Sequence, residues 1–421
     1  MGDELVWIIG GRFAWCARDE APRAKDGTAY FSTDETLVYE QFFADFGPLN
    51  LSKTVRYCRR VEAALAENDV VVHYCAREPQ SRCNAICLCV LFSVIVLKKT
   101  VAEAYDPFIG FDLPPYRDAG FGVCSFPLLI IDVAKGAFKA IQEKHFNYET
   151  FDIESYETME KLEGGDMNWI VPGKFLAHSG PLAYRRELQD TRSKRKKFTF
   201  DADDYAEVFV KKGVTRVVRL NKKLYDRQSF LSRGIEHSDL IYEDGSNPPP
   251  HIAKKFLDIC ESEKGAIAVH CKAGLGRTGT LIALYMMKHY RYTAHEVVGW
   301  LRLCRPGSII GPQQFYVAEA ELRMHHEGAL FERSFNIKKN PITKKNISPK
   351  HTSDKKKLYW GTTMITRLEE PQKTRPTWKK RPSISSYHPR QVPTPTSIAH
   401  IKSTTAVVTT RSHKPQKFLA K

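Results

Sequence analysis

No apolar run in this sequence is long enough to cross a bilayer. The longest, residues 85–97, ends after 13 positions and includes Cys87, Cys89 and Ser93, whereas a spanning helix needs about 20 apolar residues. A buried helix is the expectation there, and no membrane is expected as a partner. No charged-then-apolar leader follows Met1. The 10 cysteines are scattered without a repeating framework, so a reducing compartment is expected and a disulfide scaffold is not. No His/Cys cluster has metal-ligand spacing, and neither a metal nor a cofactor is expected. Acidic residues are scarce in one region only. Past residue 336 there are 20 Lys and Arg against 3 Asp and Glu, out of totals of 64 and 48, which leaves 44 against 45 in the rest. The formal net charge of +16 therefore lives in the tail. Nucleic-acid-binding domains carry their own basic face, so no nucleic acid is expected as a partner of the near-neutral globular part.

The 421 residues, 42% of them apolar, are enough for two domains with real cores. The chain is organised around residues 266–280, Ala-Ile-Ala-Val-His-Cys-Lys-Ala-Gly-Leu-Gly-Arg-Thr-Gly-Thr. The first four read as a short buried strand. A glycine-rich loop follows, and from Leu281 the apolar positions take helical spacing. A strand, a glycine loop and a helix N-terminus together make an anion site, because the first N–H groups of a helix are unpaired and the dipole is positive there. Gly274 and Gly276 let Lys272, Ala273, Gly274, Leu275 and Gly276 turn successive N–H groups inward as a nest. Arg277 adds a planar fork matched to two phosphate oxygens. The same positive field favours the thiolate of Cys271 and makes it a nucleophile. A buried cysteine in an ordinary strand-to-helix turn is the alternative reading.

A phosphate monoester also needs an acid for its leaving oxygen. Asp244, after an expected strand and ahead of the turn residues Gly245, Ser246, Asn247 and Pro248, is the candidate, with Glu243 as local competitor. Thr278 can hydrogen-bond the sulfur as it leaves, and His270 is expected to orient the loop.

The run from His270 to Thr280 resembles the signature of the cell-division-cycle "fourteen" family of dual-specificity phosphatases, cysteine-dependent enzymes that reverse cyclin-dependent-kinase phosphorylation. The resemblance covers about residues 5–335. It implies an α/β fold of two tandem dual-specificity-phosphatase-like domains, the first inactive and the second catalytic, joined by an acidic linker helix. Past residue 336 the composition turns to Lys, Thr, Ser and Pro with few aliphatics, too little apolar surface to fold, so a disordered basic C-terminal tail is expected. The expected boundaries are 1–149, 150–163, 164–336 and 337–421. An internal echo agrees with a duplication: Asp45 precedes a helix and a strand ending Val-Val-His, and Asp244 precedes a helix and a strand ending Ala-Val-His. In the first copy Tyr74 stands where Cys271 follows its His, Gln80 stands where Arg277 would fall, and the loop lacks glycines. Two unrelated domains sharing a strand pattern are the alternative.

Tyr156 to Asp166, reading Tyr-Glu-x-x-Glu-x-x-Glu-x-Gly-Asp, matches the family's linker. The resemblance implies that Glu157, Glu160 and Asp166 line an acidic groove receiving a basic side chain downstream of the phosphoresidue; the plain alternative is a solvated helix face. The run from Cys304 to Gln314 matches as well, and implies that Gln313, or Gln314 beside it, positions the hydrolytic water. The implied partners are phosphoprotein substrates of proline-directed kinases, with phosphoserine or phosphothreonine before proline preferred and phosphotyrosine accepted, in cell-cycle and mitotic-exit control. The implied location is the nucleus, including the nucleolus, and the cytoplasm, with the centrosome, the spindle and the cilium base as further places. The basic stretches 192–197, 355–357 and 379–382 are candidate nuclear-import signals. A tensin-like phosphoinositide phosphatase is the enzyme rival, but Leu275 stands where a second lysine would be. A non-catalytic phosphoprotein scaffold is the other rival, and Cys271, Arg277 and Asp244 all being present argues against it.

For secondary structure, helices are expected over 36–43, 51–65, 85–97, 101–105, 126–146, 201–212, 250–261, 293–303 and 313–327. Strands are expected over 5–9, 70–74, 169–172, 175–177, 214–220, 236–242 and 266–269.

Overall fold

A computed structural model of the chain describes residues 4–23, 25–120, 124–188 and 197–339. The basic residues 192–196, the clusters at 355–357 and 379–382, and the tail from 340 onward lie outside them.

The first half is built from β1 (Val6–Ile9), β2 (Phe13–Ala17), β3 (Thr28–Phe31), α1 (Leu51–Glu67), β4 (Val70–Cys75), α2 (Pro79–Ile95), α3 (Val101–Tyr105) and α4 (Ile130–Gln142). Helix α5 (Ile153–Glu160) leads into the second half. There follow β5 (Met167–Val171), β6 (Phe175–His178), β7 (Glu187–Leu188), β8 (Lys197–Phe198), α6 (Ala202–Lys211), β9 (Val214–Arg219), α7 (Gln228–Leu231), β10 (Glu236–Asp239), α8 (Pro250–Ser262), β11 (Ala266–His270), α9 (Gly276–Tyr290), α10 (Ala294–Cys304) and α11 (Pro312–Lys339).

The two sheets repeat one topology. The first has the order β1-β2-β4-β3 and the second β10-β9-β11-β6-β5. In each, a central strand (β4, β11) lies between two parallel neighbours, and an edge strand (β1, β5) runs antiparallel to one of those neighbours (β2, β6). Strand β10 is the addition in the second sheet. Both central strands reach a buried histidine, His73 and His270. Parallel strands covered on both faces explain why these stretches read as continuous apolar runs. The halves meet through α4 and α10. A Cβ on Gly136 of α4 would lie 2.4 Å from the Glu296 carbonyl oxygen, and one on Gly299 of α10 would lie 2.8 Å from the Val133 Cα. The two helices therefore cross nearly backbone to backbone, and one apolar core runs through both halves.

Several expectations are corrected. Residues 36–43 form no helix, because the buried Asp45 carboxylate takes the Phe42 and Phe43 N–H groups and the Tyr39 hydroxyl, and such side-chain bonds compete with helical pairing. Helix α2 starts six residues before 85, with Pro79 in its first turn and Glu78 capping the Ser81 N–H. Its first turns are polar, so the apolar run under-read it. Helix α4 is shorter than 126–146, starting where Asp132 bonds the Leu129 N–H and ending before Lys144, which has a φ of 60°. The linker helix is not 150–163: α5 covers eight residues and Lys161 is extended before a 3-10 turn over Leu162–Gly164. Helix α11 runs to Lys339, past the expected boundary at 336. Strands β2 and β3 were not expected. No helix among the described residues is long and apolar enough to cross a membrane.

Candidate active site

The loop between β11 and α9 is tied down by its carbonyls. The His270 Nδ1–H donates to the Cys271 oxygen at 3.0 Å and the Gly180 N–H to the Lys272 oxygen at 2.9 Å. Arg305 donates to the Ala273 and Gly274 oxygens, both at 2.9 Å. Leu275 and Gly276 oxygens accept from the Gly279 N–H and the Thr280 hydroxyl. With these carbonyls held outward, the backbone N–H groups of residues 272–277 have no protein acceptor among the described residues. That is the electrostatic inverse of an ordinary turn, and it suits an oxyanion. Gly274 is obligatory here: its φ is +68°, and a Cβ would stand 2.0 Å from the His178 carbonyl oxygen.

Cys271 sits at the loop's start, 3% exposed. Arg277 is 4% exposed and uses Nη1 on the Leu220 and Tyr242 carbonyls. Its Nη2 lies 2.8 Å from Asp244 Oδ1. Asp244, on an exposed loop after β10, thus lies over the mouth of the cradle. Among the described residues Glu243 makes no such pairing. The Thr278 hydroxyl is buried without a partner among the described residues, as a group kept for the sulfur would be.

His270 is fully buried, and burial pulls it down to about 3, so the ring is neutral. With Nδ1–H on the Cys271 carbonyl, Nε2 accepts from Tyr225, whose hydroxyl oxygen is 2.7 Å away, and that oxygen lies 2.9 Å from His237 Nε2; the partners assign this tautomer. It is a neutral support for the loop, held between the Cys271 carbonyl and Tyr225.

The two glutamines separate. Gln313 donates from Nε2 to the Ser246 carbonyl at 3.0 Å, two residues past Asp244, and a Cβ on Gly276 would lie 2.7 Å from its Oε1. Gln314 instead accepts from Arg302 at 2.7 Å. Gln313 therefore touches both the acid loop and the cradle, and Gln314 serves the scaffold.

Glu157, Glu160 and Asp166 do line one cavity, of about 620 Å³, together with Ala273 and Leu275 of the loop and Tyr39, Phe42, Asn50 and Lys53 of the first half. None of the three carboxylates is bare. Glu157 pairs with Arg56 and accepts from Ser52; the Arg56 bond, ahead of the Ser52 bond, holds it below the usual carboxylate range. Glu160 accepts from Asn50 Nδ2 at 3.0 Å, and burial pushes its carboxyl up. Asp166 is 2.8 Å from Arg305.

Sequence reasoning gave Arg305 no role, although it is the clamp behind the loop: 3% exposed, it also donates to Asn168 at 2.7 Å. Its only signal was its place in the run from Cys304 to Gln314.

The first half shows why a repeated topology need not bind phosphate. At the end of β4 the Ala76 N–H is taken by Asp34, the Arg77 N–H by Asp19 and the Ser81 N–H by Glu78, at 2.7, 3.0 and 2.7 Å. Three of the chain's own carboxylates thus occupy the loop leading from β4 into α2. Cys75 is buried with its thiol pushed up to about 12 by burial.

Two family models match the chain: the N-terminal half of dual specificity protein phosphatases over residues 7–140, and the catalytic domain of dual specificity phosphatases over residues 209–320. Human dual specificity protein phosphatase CDC14A is 47% identical over 335 residues, 78% of this chain and 55% of that protein. Mouse CDC14B is 41% identical over 358 residues, 84% of this chain and 72% of that protein. The tyrosine-protein phosphatase cdcA of Emericella nidulans is 36% identical over 357 residues, 79% and 60% respectively. The chain spans about half the length of the CDC14A relatives it matches. With the repeated sheets, the outward-tied loop and these matches together, the chain belongs to the CDC14 family of dual specificity protein phosphatases, carrying that family's N-terminal half and catalytic domain in tandem.

Proposed function

We propose that this chain hydrolyses phosphoserine, phosphothreonine and phosphotyrosine in proteins through a phosphocysteine, and prefers a proline after the phosphoresidue and a basic side chain downstream. The observation that carries the chemistry is the loop itself: carbonyls tied outward, N–H groups of residues 272–277 unpaired, Cys271 at its base and Arg277 paired to Asp244 over its mouth.

In the first step Cys271 Sγ bonds to phosphorus, the bond to the leaving oxygen breaks, and Asp244 gives that oxygen a proton. The N–H groups of Lys272, Ala273, Gly274, Leu275 and Gly276, with Arg277, bind the three equatorial oxygens as charge builds on them. In the second step water bonds to phosphorus, the P–S bond breaks and the thiolate is restored, with the Thr278 hydroxyl donating to it. The water's proton goes to Asp244, and Gln313 holds the water.

The specificity reading is supported by the cavity beside the loop, whose walls include Glu157, Glu160 and Asp166. Its charge is modest, because four acidic residues (Glu40, Glu157, Glu160, Asp166) are met by three basic ones (Lys53, Lys161, Arg305). Discrimination of about tenfold, worth about 1.4 kcal/mol, fits that balance. The test is a phosphopeptide panel varying the phosphoresidue, the next residue and downstream charge, at low and high salt. The basic peptide should win by about tenfold and lose its lead at molar salt, where the Debye length is about 3 Å. The variant Glu157→Gln with Glu160→Gln should erase the lead while sparing small aryl phosphates; an undiminished preference in it sinks the groove. Proline-directed sites are those made by cyclin-dependent kinases, so we place the protein in reversal of their signals at cell division and mitotic exit. The nucleus and nucleolus, the cytoplasm, and the centrosome, spindle microtubules and cilium base are the proposed locations. Imaging of the tagged chain with and without its basic tail tests them.

A further inference from the structure

Asp118 belongs to the first half in sequence but ends in the second. It is 6% exposed, and its Oδ2 accepts from the Gly311 N–H at 2.6 Å and from the Gly120 N–H at 2.9 Å. Burial acts to raise its carboxyl, but those two N–H bonds and the Arg302 charge outweigh it and leave the group below the usual carboxylate range. Arg302 is 2% exposed and binds the same segment, donating to the Ser308 and Ile309 carbonyls at 3.1 Å each and to Gln314. Between these fixed points Ile309 has a φ of 62°, a state that a β-branched residue rarely takes unless its surroundings impose it. Two residues past Gly311 comes Gln313, whose Oε1 accepts from the Ile310 N–H at 3.3 Å and whose Nε2 reaches the acid loop at Ser246. A first-half carboxylate thus pins the turn from which Gln313 reaches the cradle.

We propose that Asp118 is a positioning residue for the second chemical step. By holding the Gly311 N–H it fixes where Gln313 presents its carboxamide to the water that hydrolyses the phosphocysteine. The inference rests on the phosphatase reading above. The balance of that step is the one already given: water oxygen to phosphorus, P–S electrons back to Cys271, the proton to Asp244. The first step involves no such water, so loss of Asp118 separates the two. The first half then does more than border the groove, since it supplies a buried anion on which turnover depends.

The experiment is rapid-quench kinetics of the full chain with an aryl phosphate, comparing the unaltered protein, Asp118→Ala, Gln313→Ala and the double variant. Asp118→Ala is expected to release a burst of about one phenol per site, to accumulate phosphocysteine, and to lose kcat on the order of tenfold to a hundredfold, with kcat/KM within about twofold of normal. Gln313→Ala should do the same, and the double variant should be no worse than either, because both act on one step. A merely structural Asp118 would lower kcat and kcat/KM together without a burst, and that result, or an unchanged kcat, overturns the proposal. Should Asp118→Ala fail to fold, Asp118→Asn decides: one oxygen remains for Gly311, and a smaller fall in kcat with a burst supports the role, while its absence overturns it. An unaltered protein without Cys271-dependent phenol release fails the phosphatase reading itself. An active protein whose variants give no burst fails only this one.

Discussion

Replacing Arg305 by Met keeps much of the side-chain volume and removes the clamp. Four groups lose their donor: the Ala273 and Gly274 carbonyls, the Asn168 carboxamide oxygen and the Asp166 carboxylate. Arg305 is 4% exposed by side chain and Asp166 27%, so the pair is largely out of water. Removing one partner of a buried pair costs about 3–5 kcal/mol, and the partial exposure of Asp166 favours the lower end. Unfolding entropy of about 2.1 cal/mol/K per residue over roughly 330 residues is about 0.7 kcal/mol/K, so Arg305→Met should melt about 4–7 °C lower for one cooperative transition. The double variant Asp166→Asn, Arg305→Met removes both charges and should cost less than the sum of the two singles. Oxyanion binding should fall further than stability does, because the freed carbonyls can turn inward against the anion. Inorganic phosphate at 100 times its Kd adds about 2.7 kcal/mol to a protein that binds it only when folded, and the melting shift reads that directly. The unaltered protein should gain several degrees and Arg305→Met almost none. An Arg305→Met protein that melts normally and is still protected by phosphate refutes the reasoning.

Three further outcomes follow from the site. Cys271→Ser should abolish turnover yet still bind phosphopeptide, since the N–H groups and Arg277 remain; residual hydrolysis by that variant, measured by phosphate release, contradicts the phosphocysteine. Asp244→Ala should slow phosphopeptides far more than an aryl phosphate whose leaving group needs no proton; equal losses on both substrates would return the acid to Glu243 or to a structural effect. Glu160→Gln should raise the melting temperature at pH 7. Burial lifts the folded Glu160 carboxyl above its unfolded value, so its contribution is fully present below the unfolded pKa and is lost as pH rises through the folded one. The gain from Gln should therefore disappear in melts at about pH 4, and a constant gain at both pH values rules this cause out.

The chemistry-bearing loop was legible because its instructions are local. A strand, two glycines and a helix start within residues 266–280 mark where N–H groups can turn inward, and Arg305 and Gly180 then hold the carbonyls outward in the folded chain. The turn that carries Asp244 was legible in the same way, as were most strands and helices with clear periodicity. The failures were also physical. Residues 36–43 have helical spacing, yet the buried Asp45 carboxylate captures their N–H groups. Helix α2 begins in polar turns that no hydrophobic pattern marks. Gln313 and Gln314 are adjacent and chemically alike, so only the fold, by giving one to Ser246 and the other to Arg302, could tell them apart. The groove carboxylates were visible as an acidic run, but their partners Arg56, Asn50 and Arg305 come from elsewhere in the chain, between 101 and 139 positions away. Asp118 was invisible altogether. A lone aspartate 193 positions from Gly311 acquires its meaning when α4 and α10 cross and the two halves close on one core. Local sequence writes backbone geometry and places Cys271 at the foot of its loop, and long-range packing decides which charges are paired and which side chains are held still.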